Sequence, residues 1–156
     1  AGDVLPELLV PEGALSRRSP SAEDEVDMAI AFDVVRTLGT LDIGQAAVVS
    51  GGYVLAVEAA EGTDAMLERC AEIKRRGRSH GTGKGVLVKA PKPGQEERVD
   101  MPTIGPQTMV KAAEAGLSGI AVAAQHVLIA EYNRTIEIAN ERKIFLYGAP
   151  WDESDT

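Results

Sequence analysis

Six short apolar runs, AAVVS, YVLAVE, VLVKA, GIAVAA, HVLIAE and IFLYG, recur along this chain between stretches of helical periodicity. That alternation restricts the fold to an α/β domain in which helices cover a sheet. The first helical stretch opens at Ser21, with Asp24 three residues on in a capping-box position. Met28, Phe32, Val35 and Leu38 give it an apolar stripe, and Gly39 is expected to end it. AAVVS and YVLAVE are joined through Gly51-Gly52, which predicts a hairpin with a tight primed turn. After Gly62, either Thr63 or Asp64 is suited to cap a second helix bearing Met66, Leu67, Cys70 and Ile73. VLVKA reads as a buried strand, followed by a constrained PKPGQ turn. Pro106 fits the first turn of a third helix ending near Gly116, residues 132–142 predict a fourth, and IFLYG is the last strand. The expected architecture is therefore a single α/β domain, with a mixed β-sheet packed by about four helices.

A length of 156 residues suits one domain with a substantial core. Residues 1–20, interrupted by Pro6, Pro11, Gly13 and Pro20, read as a linker-like segment without regular structure. Residues 21–149 form the domain, and 150–156 an acidic tail expected to fray. No apolar run approaches the roughly 18 residues of a membrane span. AGDVLPELLV lacks the basic lead-in and long apolar segment of a signal peptide, and the missing initiator Met suggests an excised piece. The single Cys70 excludes an intrachain disulfide, and no Cys/His cluster has structural-zinc spacing. A reducing cytoplasm is the expected compartment. The net charge of −8 opposes nucleic-acid binding, which needs a concentrated basic surface. Lys74, Arg75, Arg76 and Arg78, followed by His80 and Lys84, form a local basic cluster. It serves either as a cationic helix end that complements the dipole or as a patch for a phosphate or an anionic membrane.

Several chemistries drop out. In GRSHGTGKG, Lys84 is followed by Gly85, and the loop leads into a strand, so a phosphate-binding P-loop is excluded. His80 and His126 do not belong to a nucleophilic triad, and Cys70 lies on an apolar helix face where an inert thiol is expected. Two segments remain. EAAEGTDAM places Glu58 at a strand end, Glu61 in a loop and Asp64 at a helix start. Such a corner either binds a phosphate or a hard cation, or consists of a helix cap beside a solvated strand end. VLVKAPKPGQEERVDMPTIGP brings Lys89, Lys92 and Asp100 together with proline-restricted turns and a helix start. The lysines would neutralise phosphate charge and the carboxylate would hold Mg²⁺ or orient water; the alternative is a pair of ordinary charged turns.

LDIGQAAVV, VLAVEAAEGTDAML, GVLVKAPKPGQEERVDMPTIGP and AAEAGLSGIAVAA, in this order, resemble the C-terminal domain of the LpxI-type UDP-2,3-diacylglucosamine pyrophosphatases of lipid A biosynthesis. The likeness runs from about Pro20 to Gly148. It implies Mg²⁺-dependent hydrolysis of UDP-2,3-diacylglucosamine to UMP and 2,3-diacylglucosamine 1-phosphate (lipid X), by water attack at the α-phosphorus. A sugar-nucleotide or lipid-phosphate binding module without catalysis is the alternative. Carried over by motif, Asp100 is the catalytic carboxylate, and Asp100, Glu61 and Asp64 are metal ligands. Thr63, Lys89, Lys92, Gln95, Asp42, Gln45 and Thr103 are the implied substrate contacts. The resemblance also implies a cytoplasmic protein in peripheral contact with the inner membrane. The family carries an additional N-terminal domain, and PELLVPEGALSRRSP resembles the linker that follows it. A site lying between the two domains would leave this domain weak or inactive alone, and an uncovered face would favour a homodimer.

Overall fold

The computed structural model describes residues 7–77, 84–92 and 101–152. Strands β1 (Glu7–Leu9) and β2 (Gly13–Ala14) precede helix α1 (Ala22–Thr40). The hairpin β3 (Ala46–Ser50) and β4 (Tyr53–Val57) leads to α2 (Thr63–Arg75) and β5 (Val86–Lys89). Then follow β6 (Thr103–Ile104), α3 (Pro106–Glu114), β7 (Gly119–Ala123), β8 (Leu128–Ala130), α4 (Tyr132–Arg142) and β9 (Phe145–Ala149).

Among the described residues, six strands form a sheet in the order β2-β9-β7-β5-β3-β4, and β1-β8-β6 form a smaller one. β5, β7 and β9 pair in parallel, whereas β3 runs antiparallel to both β5 and β4. The sheet is therefore mixed, as expected. α1 packs on β3 and β5, while α2, α3 and α4 contact one another in series and rest on β4, β7 and β9. Every residue of β3, β5 and β7 is buried, as befits central strands covered on both faces. Phe145, Leu146, Ile120, Leu87, Met66, Leu67 and Met109 anchor the core. Each such side chain contributes roughly 1.5–3 kcal/mol through burial.

Local chemistry explains most element boundaries. Ser21 Oγ accepts the Asp24 N–H at 3.1 Å and Asp24 Oδ2 accepts the Ser21 N–H at 2.9 Å, completing the capping box of α1. Gly51 and Gly52 both have positive φ, 58° and 84°, as a primed hairpin turn demands. The buried Asp27 carboxylate accepts both of their N–H groups, at 3.2 and 2.8 Å, and so pins the turn to α1.

The structure corrects four expectations. α1 passes through Gly39, which is buried, and ends at Thr40. The segment before α1 is not wholly irregular: β1 pairs with β8, β2 pairs with β9, and Val10 is fully buried, whereas residues 15–20 hold no helix or strand. Strands of two or three residues carry too little periodicity to be seen in sequence. The tail begins with an anchored residue, because Trp151 packs 6.0 Å from the Phe32 ring and lies under the Arg36 guanidinium at 4.4 Å. Finally, neither Thr63 nor Asp64 caps α2. Gly62, with φ 91°, occupies the cap, and both side chains are turned to other partners.

Candidate active site

β4 and β5 end, and β3 begins, at one edge of the sheet. The first turns of α2 and α3 meet the same edge, so five chain segments converge there. In a sheet with helices packed on it, the carboxyl ends of strands are where ligands usually bind. Val57 is the last residue of β4, and the next, Glu58, is buried with both oxygens engaged. Oε1 accepts the Gln45 N–H at 2.9 Å and Oε2 accepts the Thr63 hydroxyl at 2.6 Å. Lys89, the last residue of β5, is almost fully buried, and its ammonium donates to the Thr103 carbonyl at 2.9 Å. Burial pushes the Lys89 pKa down, and the nearby carboxylates of Glu58 and Asp64 oppose that shift.

Asp64 stands in the first turn of α2 and Thr108 in the first turn of α3; the Thr108 hydroxyl donates to Asp64 Oδ1 at 3.0 Å. This bond draws two helix N-termini together. Gly62 and Gly105 are their N-caps, and neither helix has a side-chain cap. The first N–H groups of a helix have no intrahelical acceptor and carry positive potential. Pro106, at the start of α3, removes one of those donors without disturbing the rest.

The sequence-derived residues fall into distinct places. Gln45, Thr63, Asp64, Lys89 and Thr103 gather around Glu58 and the two helix starts, although Thr103 meets Lys89 through its carbonyl rather than its hydroxyl. Asp42 and Lys92 pair with each other at 3.0 Å, with the Asp42 carboxylate mostly in solvent. Glu61 has other partners: it accepts the Ala59 N–H at 2.9 Å and binds Arg69 at 2.7 Å. The Ala59 N–H and the Arg69 guanidinium hold its carboxyl below the usual range. Gln95 and Asp100 lie outside the described residues, as do Arg78 and His80. Thr108 was not anticipated, because its partner is 44 residues away and only the fold unites them.

The basic cluster behaves locally as a helix end. Lys74 and Arg75 occupy the last turn of α2; Lys74 donates to the carbonyls of Lys84 and Gly116, and Arg75 and Arg76 pair with Glu72. Among the described residues, no group of three or more His, Cys, Asp or Glu is arranged to hold a metal ion. Of the two described carboxylates expected to bind a metal, Glu61 and Asp64, it is Asp64 whose charge acts on Lys89. No described helix is long and apolar enough to cross a membrane.

Residues 11–147 match the LpxI C-terminal domain family. The chain is also 48% identical over 149 residues to the UDP-2,3-diacylglucosamine pyrophosphatase LpxI of Caulobacter vibrioides, covering 95% of this chain and 53% of that protein. It thus spans about half the length of the curated relative it matches. With the match extending from the β1–β2 segment to the last strand, this chain belongs to the LpxI C-terminal domain family.

Proposed function

We propose that this domain hydrolyses the pyrophosphate of UDP-2,3-diacylglucosamine, releasing UMP and 2,3-diacylglucosamine 1-phosphate by attack of water on the α-phosphorus. The observation that carries the reading is the buried Lys89 ammonium set beside two side-chain-uncapped helix starts, in a chain 48% identical to a pyrophosphatase of that name. Positive charge and preorganised N–H donors in a water-poor corner favour a pyrophosphate, and favour it more as charge develops on its oxygens.

In this reading Lys89 neutralises a phosphoryl oxygen, and Lys92, held near the rim by Asp42, attracts the second phosphate. Gln95 and Thr103 are further substrate contacts. Asp100 orients the attacking water and, with Asp64, holds Mg²⁺. Two carboxylates suit that ion, which commonly takes one or two from protein and completes its shell with substrate phosphates and water. Bound there, Mg²⁺ supplies Lewis-acid stabilisation of the pyrophosphate oxygens. Glu61 fits a structural role better than a ligand role, because Arg69 already neutralises it.

The test is UMP formation from UDP-2,3-diacylglucosamine, by this chain alone and fused to the half of the Caulobacter vibrioides relative that it does not cover. The expected result is UMP that requires Mg²⁺, disappears with excess EDTA, and disappears in Asp100→Ala with the fold intact. Binding of substrate without any UMP from the folded fusion would instead identify a binding module and overturn the hydrolase reading.

A further inference from the structure

Glu58 lies at the centre of the site and has no role in the hydrolysis proposed above. Its carboxylate is buried, and each oxygen is occupied by a donor from a different element: the Gln45 N–H that precedes β3, and the Thr63 hydroxyl that opens α2. Its backbone N–H in turn donates to the Ala46 carbonyl at 2.9 Å. One residue therefore joins β3, β4 and α2 where β5 delivers Lys89.

The polarity of the 2.6 Å bond has a chemical consequence. A threonine hydroxyl owns one proton and two acceptor lone pairs. A carboxylate accepts only, so the proton of Thr63 points at Glu58. Toward the rest of the site Thr63 then has lone pairs and no proton. A hydroxyl in that state repels a phosphoryl oxygen, itself an acceptor, and attracts a group that brings hydrogen. The substrate contact implied for Thr63 is then made through water rather than directly to a phosphate oxygen.

We propose that Glu58 is a positioning residue: it fixes the proton of the buried Thr63 hydroxyl and leaves that oxygen as the acceptor that orients the water attacking the pyrophosphate. The inference deepens the hydrolase reading and rests on it. Thr63 accepts a hydrogen bond from the water and aligns an oxygen lone pair of that water with phosphorus; Glu58 never touches the substrate. Orientation of this kind changes the chemical step more than substrate binding.

The test is a double-mutant cycle on the fused protein, read as kcat and KM for UMP formation. Glu58→Gln is isosteric but sets an amide N–H₂ against either the Gln45 N–H or the Thr63 hydroxyl. We expect it to lower kcat by about 10- to 100-fold with KM within about threefold. Thr63→Val should lose a similar factor, and Thr63→Ser, which keeps the hydroxyl, should recover most of it. The double variant Glu58→Gln/Thr63→Val should fall no more than about threefold below the worse single variant, because both break one device. Losses that multiply, or a Thr63→Ser variant as impaired as Thr63→Val, would overturn the proposal. So would a Glu58→Gln chain that fails to fold, or one with unchanged kcat. Absence of UMP from the unaltered fusion would be a different outcome, because it overturns the hydrolase reading and the positioning role falls with it.

Discussion

The Thr108 hydroxyl donates to the Asp64 carboxylate at 3.0 Å, and this bond joins the first turns of α2 and α3. The site therefore depends on a hydroxyl that carries no chemistry itself. Thr108→Val keeps the side-chain shape and removes the donor. We expect unfolding free energy to drop by about 1.5–3 kcal/mol, as for loss of a hydrogen bond to a charged acceptor. UMP formation should fall severalfold as Asp64 loses its fixed orientation. Denaturant unfolding and initial rates measure the two effects, and an unchanged rate would remove Thr108 from the site.

Asp27 offers the opposite combination. It holds the Gly51 and Gly52 N–H groups at the turn of the β3–β4 hairpin, the end remote from Gln45 and Glu58. Asp27→Ala leaves two N–H groups without their acceptor and should destabilise the protein by about 2–3 kcal/mol. The rate of UMP formation by the folded fraction should stay at the level of the unaltered protein. A large loss of rate would mean that the hairpin transmits strain along β3 and β4 into the site.

These two aspartates show what was legible in the sequence and what was not. The Gly51-Gly52 turn, the Ser21 capping box and Pro106 at the start of α3 are local devices, written in adjacent residues, and they form as read. Asp27 and Thr108 act on partners distant along the chain, so no spacing rule exposes them. The start of α2 was misread because Thr63 and Asp64 both have capping chemistry. Gly62 adopts the positive φ of 91° there, and tertiary partners claim the two side chains. Lys89 was legible as a charge ending a buried strand, but its contact with the Thr103 carbonyl needed the fold. The anchoring of Trp151 against Phe32 and Arg36 was hidden for the same reason, because an acidic tail gives no local sign of an aromatic contact.

Cys70 gives a pH signature independent of the site. It is completely buried on α2, and burial pushes its thiol pKa up from 9.0 to about 11. The folded state thus keeps the proton more tightly than the unfolded chain. Its contribution to stability is full below about pH 9 and is lost as pH rises toward 11. The loss amounts to roughly 2–3 kcal/mol for such a shift. Denaturant titrations of the unaltered protein and Cys70→Ala between pH 8 and 11 isolate the effect. The stability advantage of the cysteine protein should shrink across that range, whereas a constant difference would show that the thiol is not desolvated as described.

The most direct test of the central claim is hydrolysis of UDP-2,3-diacylglucosamine in ¹⁸O-enriched water, with mass analysis of both products. Attack at the α-phosphorus predicts one ¹⁸O atom in UMP and none in the sugar 1-phosphate. Label in the sugar 1-phosphate, or no UMP from the folded fusion, would contradict the account.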